Sequence, residues 1–230
     1  DEYYIFKILP DPRDIEGDTV KFSGELMRNM FNGSVMLEME SELVLVVNTR
    51  LCHDTLDVSF NKLEDFLSRR NFIGGVSALF RDFSWLCEEY SLANAAISVG
   101  RLIDRDLSLF RYARYVMPHM ISLCDQVFNV RMLCHREAIK LHEYDKVNGN
   151  NYFYCLYTYL QRERSLLLTS KNLNIHRSTL IYRLNKIYEI IQVDLDDLET
   201  RMHMIHSYDI LHFLDCLRDS DTPDAQLLEK

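Results

Sequence analysis

Two rhythms of apolar and polar positions divide the chain near residue 105. Before that point, short runs rich in β-branched and aromatic residues take turns with stretches of helical spacing. Tyr3–Leu9 (YYIFKIL) ends at Pro10 and reads as a strand. Residues 18–31 carry Val20, Phe22, Leu26 and Met30 at helical spacing. Residues 34–48 (SVMLEMESELVLVVN) read as two strands around a tight turn near Glu40 and Glu42. A helix over 59–70, a short strand over 72–77 and a helix over 83–99 follow, the last with Leu86, Tyr90, Ala93 and Ile97 on one stripe. Strands interleaved with helices in this way predict an α+β sheet domain.

Beyond residue 105 the strand pattern stops, and helices are expected over 107–125 and 131–145. KVNGN at 146–150 is the clearest turn. After it, 152–162, 169–173, 177–191 and 197–217 form an all-α unit of four helices with short connections. The predicted organisation is therefore 1–105 α+β, 106–148 connecting helices, 149–217 helical, and a polar, flexible tail over 218–230.

Composition narrows the function classes. Hydrophobic residues make up 47% of the 230 positions, while Gly and Pro number only 7 and 4, as expected of a compact, mainly helical protein. No stretch of about 18 apolar residues occurs, so no membrane span and no membrane partner are expected. No basic-then-apolar leader opens the chain, and its start on Asp1 rather than Met points to a piece of a longer protein. The six cysteines are scattered, with no CxxC pair, which suits a reducing compartment and a cytoplasmic location.

Charge changes the picture most. The net charge is −9, yet residues 162–186 carry six cations (Arg162, Arg164, Lys171, Arg177, Arg183, Lys186) against Glu163 alone. That window is +5 and leaves −14 for the rest. It coincides with a helix-turn-helix pattern: a short helix over 169–173 capped by Thr169, a turn at Asn174-Ile175 with Ile175 filling the corner, and a longer second helix. In that second helix Leu180, Leu184, Ile187 and Ile191 make one narrow apolar stripe. Roughly opposite lie Ser178, Tyr182, Asn185 and Lys186, flanked by Arg177, Thr179 and Arg183, with His176 at the N-terminal end. Arg suits a bidentate contact with guanine, and Thr, Tyr and Lys suit phosphates. A plain solvated amphipathic helix would show a polar face as well; the local charge reversal and the short spacing favour the groove reader.

The residues NLNIHRSTL (172–180), then Tyr182-Arg183-Leu184 and Ile187, then DLDD (194–197) and Thr200-Arg201, closely resemble the PucR/CdaR-type transcriptional regulators. The departure is Ser178, where that family usually has Asn. The resemblance implies that Arg177, Thr179 and Arg183 contact double-stranded DNA, with His176 and Ser178 beside them. It also implies that the first domain is a degenerate GGDEF-like α+β domain. The turn Met39-Glu40-Ser41-Glu42-Leu43 stands where a diguanylate cyclase would carry its glycine-rich turn, but both glycines and the metal-binding Asp are missing. Glu40 and Glu42 are therefore expected as exposed turn residues, and no catalytic role or cofactor is expected. Gly74-Gly75 lacks the Lys-Ser/Thr of a phosphate loop and reads as a strand end or bulge.

One reading helix supplies few base contacts, so specific binding predicts a homodimer or higher homo-oligomer on two half-sites, with a small-molecule effector as a further partner. The acidic run Asp194, Asp196, Asp197 and Glu199 is expected to favour the start of the last helix through its dipole. His203, His206, His212 and Cys216 share helical spacing, but ordinary packing histidines account for them better than a metal site, and none is assigned. Cys134-His135 and Cys52-His53 are sequence neighbours whose side chains diverge, so neither makes a catalytic dyad. The aromatic group Tyr152, Phe153, Tyr154, Tyr157 and Tyr159 suits core packing or a dimer contact.

Overall fold

The computed structural model describes residues 1–10, 18–39, 42–52 and 54–220, and the side chains of 18–21 are outside that description. The described residues fall into two compact units, 1–120 and 121–220.

The first unit is a five-stranded sheet in the order β2-β3-β1-β4-β5. Its strands are β1 (Tyr3–Leu9), β2 (Val35–Met39), β3 (Glu42–Asn48), β4 (Ile73–Val76) and β5 (Leu109–Arg111), with helices α1 (Asp18–Met30), α2 (Leu56–Arg70) and α3 (Leu86–Ile103) between them. All pairs are antiparallel except β4 with β5, which is parallel. Up to β4 the element order is β-α-β-β-α-β, the split βαβ arrangement with β1 inside the sheet.

Strand alternation sorts the side chains between the two faces. Phe6, Ile8, Leu43, Leu45 and Val47 point to the face covered by α1 and α2, where they pack with Met27, Phe31, Phe60, Leu63 and Leu67. Ile5 and Val44 point the other way and pack with Ala93 of α3 and with Phe80. The α3 stripe is as the spacing predicts: Ala93 and Ile97 are buried, with Leu86 and Tyr90 half-buried. The α1 stripe is not. Phe22 is exposed, and the helix instead buries Ser23 and Met27 and leads into buried Phe31. A helix that short carries apolar residues at more than one phase, and the sheet selects the phase that fits.

Two further expectations change. Residues 109–111 form β5 in place of helix, because Leu109 and Phe110 are buried beside β4 and extend the sheet beyond residue 105. Glu42 is no exposed turn residue: it opens β3, and its carboxylate accepts from Lys7 Nζ at 2.8 Å and from the Tyr90 hydroxyl. Lys7 also donates to Tyr90 Oη at 3.0 Å. Burial works against the Lys7 charge, but its bonds to Glu42 and Tyr90 outweigh this and raise its pKa. Glu40 lies outside the described residues.

Gly74 and Gly75 sit inside β4 in regular register with Ile8 and Lys7, so no bulge is present. Their reason is space. A Cβ on Gly75 would stand 2.0 Å from the Ala93 carbonyl oxygen of α3, and one on Gly74 would crowd Leu109, Leu67 and Ile8 at 2.8–2.9 Å.

The second unit is helical: α4 (Tyr112–Asp125) leads into it, followed by α5 (Arg136–Asn148), α6 (Tyr152–Gln161), α7 (Leu166–Asn172), α8 (Arg177–Ile190) and α9 (Leu198–Asp219). α5 stops at Gly149, whose φ of 64° suits glycine and ends the helix in the expected turn. α6 packs against α5, α7, α8 and α9 and is the hub of the unit. α9 continues through Arg218 to Asp219, and residues 221–230 lie outside the description. No helix among the described residues is long and apolar enough to cross a membrane.

Replacing Glu42 by Ala leaves Lys7 charged and nearly buried with half of its partners. The expected loss is about 3 kcal/mol, the lower end for breaking a buried ion pair, measured by urea denaturation of the chain. A loss within about 0.5 kcal/mol, as for an ordinary surface change, would show that the pair does not stabilise the sheet.

Candidate nucleic-acid interface

The geometry begins at the ends of α6 and α7, both of which stop by the same device. Glu163 has φ 52°, and the amides of Glu163 and Arg164 reach back to the carbonyls of Leu160 and Tyr159. Asn174 has φ 51°, and the amides of Asn174 and Ile175 reach back to Lys171 and Ser170. Each is a left-handed residue with paired 5→2 and 6→1 bonds, a Schellman ending that satisfies the last carbonyls and turns the chain sharply. Asn tolerates this conformation better than most residues, so the Asn174-Ile175 turn is legible in the sequence. Ile175 is half-buried at the corner.

The short first helix begins earlier than its pattern suggests. Ser165 is its N-cap and accepts from the Leu168 amide at 3.3 Å, while Thr169 is fully buried inside the helix and caps nothing. α8 then starts at Arg177. The His176 side chain caps it: Nδ1 accepts from the Ser178 amide at 3.3 Å and stands 2.7 Å from the Ser178 hydroxyl. Ser178 thus takes part in the cap at the position where the resembling family usually has Asn.

Leu180, Leu184, Ile187 and Ile191 are all buried, as their spacing predicts. Their burial fixes the rotation of α8 and leaves Arg177, Ser178, Thr179, Tyr182 and Asn185 exposed. Tyr182 is 58% accessible, and Ile181 beside it is 40% accessible. Arg183 and Lys186 are half-buried at the margins. Arg183 stands near the Cys155 thiol of α6; burial pushes that thiol up to about 11, and the Arg183 charge opposes the rise. Lys186 pairs with Glu189 at 2.6 Å. The structure therefore brings His176, Arg177, Ser178, Thr179 and Tyr182 together over the first turns of α8 and sets Arg183 and Lys186 to the side.

Charge pairing refines the +5 window. Arg164 is bound to Asp196 and to the Leu195 carbonyl. Among the described residues, Arg162, Lys171 and Arg177 are exposed and make no ion pair. The helix-turn-helix pattern points to no contact from Arg162 or Lys171, yet both lie within the same charge window and their exposure adds to its field.

The acidic run is held as a corner between α8 and α9. Asp197 is the N-cap of α9 and accepts from the Thr200 amide at 2.7 Å. Asp194 accepts from the Asp196 amide at 2.8 Å. Arg201 donates to the carbonyls of Leu195 and Asp196, and Leu195 is buried beneath them. These bonds hold Asp196 and Asp197 below the usual carboxylate range, Asp196 chiefly through Arg164 and Asp197 chiefly through Thr200.

The rival histidines have local roles. His203 lies 2.8 Å from the Leu133 carbonyl and edge-on to His135, and His212 stacks on Tyr208. No group of three metal-ligand side chains forms among the described residues. Tyr157 stacks on Tyr208 with centroids 3.9 Å apart and donates to Asp209, and Phe153 and Tyr154 also meet Tyr208, so these three side chains of α6 pack against α9, while Tyr152 stacks on Tyr144 of α5.

Residues 153–205 match the family model of the PucR C-terminal helix-turn-helix domain, which spans α6, α7, α8 and the first part of α9. The chain is also similar to the DNA-binding transcriptional activator AdeR of Bacillus subtilis, with 22% identity over 168 residues. That alignment takes in 70% of this chain but only 40% of AdeR. A structure of a regulator of polyketide synthase expression from Bifidobacterium adolescentis aligns with 96% of this chain and 81% of that one, at 16% identity and a TM-score of 0.39.

The acid behaviour of the corner follows from its carboxylates. A lowered folded pKa adds stability that is fully present above the unfolded value, near pH 4, and is lost as pH falls through the folded value. Urea midpoints measured from pH 5 downward are expected to fall, and Asp197→Asn is expected to flatten that fall. An unchanged slope in the variant would show that Asp197 does not contribute.

Proposed function

We propose that this protein is a DNA-binding transcription regulator that reads duplex DNA with α8. The observation that carries this reading is the phase of α8. Its apolar stripe is used up against the rest of the helical unit, and what remains outward is Arg177, Ser178, Thr179 and Tyr182 at the N-terminal end, after a turn of helix-turn-helix geometry. The match of residues 153–205 to a helix-turn-helix family supports it. In this reading Arg177 reaches a base edge. Thr179, Tyr182 and Arg183 hold phosphates, Lys186 contributes at the margin, and His176 with Ser178 fixes the helix end against the backbone.

The site has the small footprint of a single reading helix, so we place two copies on two half-sites about one helical turn apart. We read the first unit as a degenerate GGDEF-like domain serving dimerisation or signal relay in the cytoplasm. Its hairpin β2–β3 and the helices on both sheet faces support that reading. Control of a catabolic or transport operon by a small-molecule effector completes the proposal. A second reading has its own observation: Ile181 and Tyr182 present apolar surface on α8, which suits contact with another protein if the helix-turn-helix has lost DNA.

The test is titration of the chain with labelled duplex from the region upstream of its own gene, repeated across salt concentrations. Expected is binding that falls steeply with salt and exceeds binding to random duplex by about 1,000-fold or more. Arg177→Ala is expected to cost about 1–3 kcal/mol of affinity and to relax preference at one base position. Thr179→Ala should weaken all sequences about equally. A folded chain that binds no duplex, or binds every duplex alike, would favour the protein-contact reading.

A further inference from the structure

α4 leaves one side uncovered along its length. Its start is fixed by Tyr115, which is enclosed. The Tyr115 ring meets Phe110 edge-on, and its hydroxyl donates to Asp104 at 2.8 Å, with Arg114 on the same carboxylate at 3.1 Å. The other enclosed residue of the helix is Ile121. Away from both, Ala113, Val116, Met120 and Leu123 are exposed. Val127 follows in the turn that closes the helix, where the Val127 and Phe128 amides reach back to the Cys124 carbonyl. These positions are three, four, three and four residues apart. That is the a/d repeat of helices that pack along a shared seam, and here every member is apolar. α4 is one helix, so its own periodicity puts them on a single side. Pro118 lies roughly opposite, and its ring does not break the stripe.

Exposure and charge narrow what the stripe accepts. Val127 is 83% accessible, Met120 52% and Leu123 51%. Eight of the large apolar side chains left exposed fall between Val116 and Leu133, a density that monomeric proteins seldom leave open. From Tyr115 to Cys124 there is no Asp, Glu, Lys or Arg, in a chain of which 27% is charged. Burial lowers the pKa of His119, which favours its neutral ring. The two charges of α4, Arg114 and Asp125, lie on the side away from the stripe. A phosphate backbone or an anionic lipid surface finds no cation here. An identical α4 meets no like charge and buries none.

We propose that α4 is a dimer seam: two copies of this chain pack in parallel along Ala113, Val116, Met120, Leu123 and Val127, each position meeting its own counterpart. The parallel sense rests on the two-copy reading above. α4 leads straight into the helical unit, so a parallel pair brings both helical units to the same end of the seam, and an antiparallel pair sends them apart. Leu123 at a d position and β-branched Val127 at an a position suit a two-stranded pairing. The stripe is only about two heptads long, so the pairing is reversible and belongs with the smaller interfaces.

The test is analytical ultracentrifugation of the whole chain over a concentration series, with no DNA present. Expected is a monomer–dimer equilibrium with Kd below about 100 µM. Leu123→Lys and Leu123→Glu are each expected to raise that Kd at least tenfold, because like charges then meet across the seam. An equimolar mixture of the two variants is expected to recover the dimer, since the introduced lysine faces the introduced glutamate only in a parallel pair. Met120→Lys with Met120→Glu repeats the exchange if a Leu123 variant does not fold. A wild-type chain that stays monomeric, a folded variant that dimerises at full strength, or a mixture without recovery would each overturn the proposal. A monomer that still prefers its own upstream duplex would do so while leaving the reading by α8 intact. A dimer that obeys the exchange but binds no duplex would support the seam and remove the reading by α8.

Discussion

The burial of Leu180, Leu184 and Ile187 is the constraint on which the helical unit turns. A helix has one rotational degree of freedom about its axis, and these residues spend it. Once Leu180 and Ile187 are fully enclosed, the positions roughly opposite, Ser178, Tyr182 and Asn185, must face outward, because three- and four-residue steps keep the two sets apart. The turn before α8 has to deliver the chain at the matching height and angle. Asn174 does so by entering the left-handed region, which lets α7 end and the next helix start within a few residues. Packing thus decides the phase, the turn decides the entry, and the exposed face at the start of α8 follows from both.

The same logic explains how charge is distributed. A +5 window in a chain of −9 would lose much of its field if its cations were neutralised locally. Instead the pairing is selective. Arg164 is committed to the Asp196 corner and Lys186 to Glu189, while Arg162, Lys171 and Arg177 remain exposed and without an ion pair among the described residues. The acids that follow α8 are absorbed by their own corner. Asp197 satisfies open amides of α9, and Arg164 and Arg201 bind the loop around buried Leu195. The opposition of a basic window and an acidic run is therefore a division between a surface left open and a joint held shut.

What the sequence made legible depended on how strongly each pattern was over-determined. β1, β3, α3 and α8 were readable because alternation or helical spacing coincided with residue types that permit only one burial phase. The Leu180 to Ile191 stripe is the clearest case, since every member is aliphatic and each neighbour on the far side is polar or amphipathic. α1 was readable as a helix but not in its phase, because Phe22, Leu26 and Met27 offer competing faces and only the sheet can choose. β5 was hidden because three residues are too few to show a period, and its strand state comes from the long-range pairing of Leu109 and Phe110 with β4. The caps divide in the same manner. Asp197 stands directly before its helix and follows the usual preference, whereas His176 is an uncommon cap and Ser165 lay ahead of the expected start.

Two buried polar clusters, one in each unit, are closed in different ways. In the sheet unit Lys7, Glu42 and Tyr90 close on one another, so each of the three has a partner from a different element. Such a cluster ties β1, β3 and α3 together and leaves nothing open for a ligand. In the helical unit Asp215 is saturated by His142 and Lys146, but Asp145 and the far side of the His142 ring are not. Asp145 cannot simply turn outward to water, because its second oxygen is committed to the start of α6. The helix terminus therefore holds a carboxylate in a place where solvation is poor, and burial raises its pKa against the N–H groups of Phe153 and Tyr152 and the nearby His142. The bond that anchors the start of α6 thus also keeps the charge at the joint between α5 and α6.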